Sequence, residues 1–166
     1  MFIRYHLPYL IGCLLFLSVT PCVRSDDKQN DQVPQQSEWH AARSLPRNGK
    51  AVVRDSSGRL QGTITRSGDS ITFRDSSGRL TGTANTSGNR ATFRDASGRS
   101  VGSASKNREH TTFRSSSGKT KGTSNQSASK TTFRDSSGRT TGSSTSSGSR
   151  TTVRDGSGKQ KGSIGR

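Results

Sequence analysis

Six arginines recur at intervals of 20 residues between residues 51 and 166, and each stands directly before a serine- and glycine-rich phrase such as DSSG. They are Arg54, Arg74, Arg94, Arg114, Arg134 and Arg154. A guanidinium is permanently charged, and its planar set of N–H donors fits phosphate, sulfate and carboxylate groups. A repeated set of such groups predicts a binding site for a polyanion.

The repeated phrase offers no arrangement that would support catalysis. An active site needs histidine, carboxylate, serine or cysteine side chains that converge on one pocket. The aspartates are explained as turn residues, and no serine has a basic partner placed to activate it. Both cysteines lie near the N-terminus, and His40 and His110 have no partner at the spacing of metal ligands. We therefore expect no enzyme, no cofactor and no metal site.

The first 25 residues have the pattern of a secretory signal peptide. Arg4 precedes an apolar run from Leu7 to about Val19, and a polar stretch leads to a predicted cleavage site after Ser25. The run is shorter than the roughly 20 residues that span a bilayer. A retained anchor and a lipoprotein signal at Cys13 are the alternatives. We expect a secreted, periplasmic or cell-surface protein whose mature chain has no transmembrane segment.

Charge is distributed unevenly after the signal segment. Residues 26–50 contain four cations, four anions and two prolines without sustained periodicity, which predicts a flexible, disordered linker. Residues 37–45 could form one or two helical turns with Ser37 as the N-cap, but they are too few to be stable alone. Residues 51–166 contain 21 Lys and Arg against 7 Asp and Glu, a net charge of +14. The net charge of the mature chain therefore lies in the repeat region.

The repeat has fixed positions around each arginine. An aromatic residue or valine precedes it, a serine and a glycine follow within four residues, a cation comes next, and a second glycine lies four residues beyond the first. In Asp75-Ser76-Ser77-Gly78 the aspartate can hydrogen-bond the backbone ahead of it, and the glycine can adopt the positive φ that closes a hairpin with a bulge. The predicted structural turn glycines are Gly58, Gly78, Gly98, Gly118, Gly138 and Gly158.

Short runs of Thr, Phe, Val and Leu flank each turn, and residues 51–166 contain no proline. Each repeat therefore predicts strand, tight turn and strand. We expect an all-β fold of six 20-residue repeats, stacked as an elongated β-hairpin array or solenoid with the phenylalanines in one row and the arginines in another. Only 13 of these 116 residues are Val, Ile, Leu or Phe, so the core is thin, and disorder in isolation is an alternative.

The phrase Asp75-Ser76-Ser77-Gly78-Arg79-Leu80-Thr81-Gly82 resembles the YD repeats of bacterial Rhs-type proteins, in which an aromatic-Asp-x-x-Gly-Arg-Leu phrase recurs at a similar spacing. The likeness covers residues 51–166. Here an arginine stands directly before the aspartate, and the aromatic residue lies one place earlier. The resemblance implies an exported protein built from β-hairpin repeats.

The charge favours an exported, non-enzymatic interaction protein whose arginines bind an acidic polymer or surface: a glycan, lipopolysaccharide or nucleic acid. The alternative is a structural protein that self-associates through open sheet edges into a fibre or matrix. A third hypothesis is an ice-binding surface built from threonine pairs such as Thr111-Thr112.

Overall fold

The computed structural model of the protein describes residues 36–166. It contains one helix, α1 (Gln36–Ser44), and twelve strands. The strands are β1 (Lys50–Asp55), β2 (Leu60–Ser67), β3 (Ser70–Asp75), β4 (Leu80–Ser87), β5 (Arg90–Asp95), β6 (Ser100–Asn107), β7 (His110–Ser115), β8 (Thr120–Ser127), β9 (Lys130–Asp135), β10 (Thr140–Ser147), β11 (Arg150–Asp155) and β12 (Gln160–Gly165). The predicted signal peptide and residues 26–35 of the predicted linker lie outside the described residues. Within residues 36–166, no helix has the length and apolar character needed to cross a membrane.

All twelve strands belong to one antiparallel sheet that closes into a barrel. The expectation of an all-β fold built from hairpin repeats is confirmed, but the elongated array or solenoid is wrong, because β1 pairs with β12. Gly162 faces Asp55 in that pair, as Gly142 faces Asp155 between β10 and β11. The last repeat therefore meets the first in the register that joins any repeat to the next.

The turns that begin at residues 55, 75, 95, 115, 135 and 155 join the two strands of each repeat, and they all lie at one end of the barrel. In the second repeat the Gly78 amide donates to the Asp75 carbonyl at 3.0 Å, and the Asp75 amide donates to the Arg79 carbonyl at 3.0 Å. Gly78 has a φ of 80°, and the matching glycines of the other repeats have φ between 81° and 86°. This is the left-handed conformation that the turn pattern predicts and that other residues adopt only with strain.

A β-bulge follows each of these turns. In the second repeat Phe73 faces Gly82 and Arg74 faces Leu80, so Thr81 is the extra residue. A bulge bends its strand and increases the local twist. Six bulges at equivalent places curve the sheet in one sense, which favours its closure.

The second fixed glycine lies beside the bulge and against the following repeat. A Cβ atom added to Gly82 would stand 2.7 Å from the carbonyl oxygen of Arg94, and one added to Gly62 would come closer still to the carbonyl of Arg74. A paired backbone cannot move away from such a contact as a flexible side chain can. The close approach of neighbouring repeats therefore requires glycine here.

Helix α1 lies inside the barrel. Its Trp39 is 1% exposed and meets Phe93 edge-on, with the ring centroids 5.1 Å apart, and Ala42 is completely buried. The sequence predicts a flexible linker here with one or two helical turns near Ser37, and over residues 36–49 the structure has this nine-residue helix and the approach to β1. Nine residues are too few for a stable isolated helix, but burial inside the barrel supplies the missing stabilisation.

Arginines from the barrel hold the C-terminal end of α1. Arg66 donates from Nη1 to the carbonyl oxygens of Arg43 and Leu45, both at 2.9 Å, and Arg166 donates from Nη2 to the carbonyl of Ser44 at 2.8 Å. The last carbonyls of a helix have no partners within it, and cations also oppose the negative end of its dipole. The barrel wall therefore caps the helix that fills it.

The barrel interior changes character around the ring. The wall of the first three repeats supplies buried apolar side chains, namely Ile64, Ile71, Phe73, Ala84, Ala91, Phe93, Val101 and Ala104. In the fourth and fifth repeats, Phe113 and Phe133 lie among buried side chains that carry hydroxyl groups, namely Thr111, Ser124, Thr131 and Ser144. Trp39 packs on the apolar half, so the hydrophobic core is concentrated on one side of the helix.

We expect Trp39→Ala to lower the free energy of unfolding by about 3 to 5 kcal/mol, because it removes the largest fully buried side chain from the barrel interior. Urea unfolding followed by circular dichroism measures the loss. Leu60→Ala is the control, since Leu60 is 41% exposed and its truncation should cost no more than about 0.5 kcal/mol. Equal effects of the two substitutions would contradict the burial of α1.

Two turns at the opposite end of the barrel contain a strained backbone conformation, at Arg108 and Ala128. Arg108 has a φ of 53°, at a position where Gly68, Gly88 and Gly148 have φ between 55° and 58°. Arg108→Gly should raise the free energy of unfolding by about 1 kcal/mol, because the relief of strain exceeds the entropy that glycine adds to the unfolded chain. Thermal unfolding measures the gain, and Ala128→Gly should act in the same direction. A lower melting temperature for both variants would refute the strain.

Candidate functional site

The six arginines lie exposed on the outside of the barrel, near the end of the first strand of each repeat. We call this end the arginine rim: the turns that begin at residues 55, 75, 95, 115, 135 and 155, with the arginine before each turn. Closure of the sheet arranges these arginines in a ring and not in the straight row that an elongated array would give. Neighbouring members are two strands apart.

Each arginine supports its own turn. Its Nη1 donates to the carbonyl oxygen of the turn glycine four residues further on, and this distance is 2.8 to 3.0 Å in all six repeats. In the second repeat Arg74 donates to Gly78 at 2.8 Å. The bond explains the fixed arginine without any ligand. It also gives the six guanidinium groups the same orientation and leaves their other donors on the surface.

The fixed serine and the aspartate complete each turn. Asp95 Oδ1 accepts hydrogen bonds from the backbone amides of Ser97 and Arg99, both at 2.9 Å, and from the Ser97 hydroxyl at 2.7 Å. The Ser97 hydroxyl has the largest effect, and the two backbone amides add to it. These hydrogen bonds stabilise the carboxylate and hold the pKa of Asp95 below its ordinary value. The pKa values of Asp55, Asp135 and Asp155 are lowered by the same contacts. The turn aspartates are therefore structural groups, as the sequence predicts.

A second set of cations belongs to the same rim, although the predicted site omitted it. Its members directly follow the turn glycines and are exposed: Arg59, Arg79, Arg99, Lys119, Arg139 and Lys159. The sequence could have indicated them, because a basic residue follows every turn glycine. The arginine rim thus has twelve exposed cations against five aspartates, because Ser115 replaces the aspartate in the fourth repeat.

Repulsion within the ring is modest. Strands in a sheet lie about 4.8 Å apart, so equivalent arginines of neighbouring repeats are on the order of 10 Å apart. Two unit charges at that distance in water repel by about 0.4 kcal/mol, and physiological salt screens them further. One net hydrogen bond contributes about 1 kcal/mol, so each arginine's bond to its turn exceeds even the combined repulsion from its two neighbours in the ring, about 0.8 kcal/mol before screening. The barrel can therefore hold this charge without a ligand.

The barrel interior contains a polar site that the sequence did not reveal. His40 Nε2 lies 2.6 Å from Ser124 Oγ, and the imidazole ring also contacts Phe113 and Phe133. Burial, followed by the nearby charges of Lys106 and Arg43, lowers the pKa of His40 to about 4. His40 is therefore neutral at physiological pH. Its partner is 84 residues away in the chain, so no local pattern indicates the contact.

Residues 36–166 contain no cluster of three or more His, Cys, Asp or Glu that could hold a metal ion. Comparison of the chain with protein-family models, with curated proteins and with solved structures finds no match. The likeness to YD repeats therefore stays a prediction.

The lowered pKa of His40 predicts that the protein loses stability as the solution becomes acidic. Its value of about 4 in the folded state lies below 6.5 in the unfolded state, so the unfolded chain takes up the proton first as the pH falls. We expect the free energy of unfolding to drop by roughly 2.5 kcal/mol between about pH 7 and about pH 4.5. His40→Gln should remove most of this drop, since glutamine can still bond Ser124 but does not titrate. Urea unfolding at the two pH values measures the drop in the free energy of unfolding. A drop in the His40→Gln variant as large as that in the parent would contradict the assignment to His40.

Proposed function

We propose that the protein is a non-enzymatic binding module that acts outside the cytoplasm, after loss of residues 1–25, and contacts an acidic polymer or surface through the arginine rim. The observation that carries the proposal is the ring of twelve exposed cations at one end of a closed barrel, against five aspartates. Its candidate partners are glycans, lipopolysaccharide and nucleic acid, all of which carry repeated phosphate, sulfate or carboxylate groups.

The two sets of cations differ in how they would act. The arginines before the turns are oriented by their bonds to the turn glycines, so they can present N–H donors with little further loss of side-chain entropy. The cations after the turns extend from the turn tips into solvent and supply charge without a fixed direction. Together they favour contacts with oxyanions spaced along a polymer.

Recognition by this rim would depend on charge and not on stacking. Every tryptophan and phenylalanine within residues 36–166 is buried in the barrel, with exposures of 0% to 6%. Proteins that bind single-stranded nucleic acid by stacking need aromatic side chains on their surface. A nucleic acid would therefore bind here through its phosphates, without sequence preference.

The other two hypotheses gain less support. Self-association through sheet edges requires an unpaired strand, but each strand from β1 to β12 has two neighbours. The threonine pair Thr111-Thr112 does not form one surface, because consecutive strand residues lie on opposite faces and Thr111 is buried.

We expect the affinity of the purified protein for heparin and for a single-stranded oligothymidylate of about 20 nucleotides to fall linearly with salt on a double-logarithmic plot. The triple change Arg74→Gln, Arg94→Gln and Arg114→Gln should weaken binding. It should also reduce the slope for the oligonucleotide by about 2, if each arginine displaces counterions from one phosphate. Fluorescence anisotropy with labelled ligands measures both quantities.

The matched control is the triple change Arg90→Gln, Lys130→Gln and Arg150→Gln, which removes the same charge from exposed residues at the opposite end of the barrel. It should leave the slope unchanged. Arg79→Gln, Arg99→Gln and Lys119→Gln keep the bonds that hold the turns, so this set should weaken binding even if the first triple destabilises the fold. Equal losses at the two ends, or an affinity insensitive to salt, would overturn the proposal.

A further inference from the structure

A cavity of about 360 Å³ lies between the C-terminal half of α1 and the polar half of the barrel wall. Helix residues His40 and Arg43 line one side, and wall residues such as Lys106, Thr111 and Thr131 line the other. Ser146 also lines the cavity and is exposed, so the space reaches solvent at the end opposite the arginine rim. Volumes above about 300 Å³ are typical of sites for small organic ligands.

The charged side chains that line this cavity are all positive. Arg43 and Lys106 line it, and none of the described residues that line it is acidic. Lys106 donates from Nζ to the amide oxygen of Gln126 at 3.3 Å, which leaves its charge uncompensated. Arg43 lies over the Trp39 ring at 5.6 Å from its centroid, and burial together with the neighbouring Arg66 lowers the pKa of Arg43. Both cations would gain from an anion placed between them.

The Thr111 hydroxyl points independently to a ligand. Thr111 is 2% exposed and lines the cavity, and its Oγ1 has no hydrogen-bond partner among the described residues. The strand register places Thr111 directly opposite Lys106. The equivalent hydroxyl in the last repeat, Thr151 Oγ1, lies 2.9 Å from Ser146 Oγ and so is paired. Thr111 is thus a buried polar group that lacks the partner such groups normally have, beside a cation.

We propose that this cavity binds a phosphate or sulfate group, either as the free ion or esterified to a sugar. Lys106 and Arg43 donate to the oxyanion, and the Thr111 hydroxyl donates a further hydrogen bond to it. The hydroxyl groups of Thr131, Ser144 and Ser146 line the remaining space and can bond the hydroxyls of an attached monosaccharide. This site is separate from the arginine rim and does not depend on the function proposed for that rim.

The test is a titration of the whole protein with inorganic phosphate, glucose 6-phosphate and glucose at constant ionic strength. Trp39 is the only tryptophan in the chain and contacts Arg43, so its fluorescence reports on the cavity. A saturable change is expected with the two phosphates and none with glucose. If glucose 6-phosphate binds at least about ten-fold more tightly than phosphate, the ligand is an ester, and similar affinities identify the free ion. Glucose binding as tightly as its phosphate, or no saturable change with either phosphate, would overturn the proposal.

Two substitutions assign the effect to the cavity. Lys106→Met should raise the Kd for phosphate by at least about ten-fold, whereas Lys130→Met removes an exposed lysine at the same end and should change it by less than about two-fold. Thr111→Val should raise the Kd by about three-fold or more without lowering the melting temperature, since the hydroxyl has no partner to lose. Thr111→Val also serves as the test if Lys106→Met does not fold. Equal Kd values for Lys106→Met and Lys130→Met, or an unchanged Kd for Thr111→Val, would overturn the assignment.

Discussion

Pairing of β1 with β12 is the constraint on which the rest of the structure depends. The two strands come from opposite ends of the repeat region, yet they meet in the register that joins neighbouring repeats. Each repeat adds an equivalent turn and the same bulge, and Gly62, Gly82, Gly122, Gly142 and Gly162 make the same close approach to the next repeat, so the curvature accumulates in similar steps. Six steps return the sheet to its start and leave no unpaired strand among those described.

Closure creates an interior that the repeats cannot fill by themselves. Their inward positions are apolar in the first half of the ring, whereas the second half adds many hydroxyl groups. Helix α1 supplies Trp39 to the first half and His40 to the second, and Arg66 caps its last turn. A barrel with few bulky side chains is thus completed by a segment outside the repeats. Fixed residues of the rim, such as Arg74, stabilise the turns through their own hydrogen bonds.

Local chemistry could be predicted from the sequence, and long-range contacts could not. The turn from Asp75 to Gly78 depends on bonds between residues at most four apart, so its pattern is visible in a single repeat. Closure is invisible in that pattern, because alternation and turn residues are the same in an open array and a barrel. One or two helical turns near Ser37 could be predicted from the sequence, but their stability could not, because nine residues form a stable helix only when they are buried. The cavity beside it depends on contacts such as that between His40 and Ser124, which no spacing indicates.

Closure of the barrel can be measured directly by NMR of the isotopically labelled protein. Backbone NOEs are predicted between Arg54 in β1 and Ser163 in β12, with an intensity similar to those between Arg154 and Ser143, the equivalent pair in β11 and β10. The second pair is present in a closed barrel and in an open array, so it serves as the internal standard. NOEs for Arg154 and Ser143 without those for Arg54 and Ser163 would show that the sheet is open and would contradict the barrel.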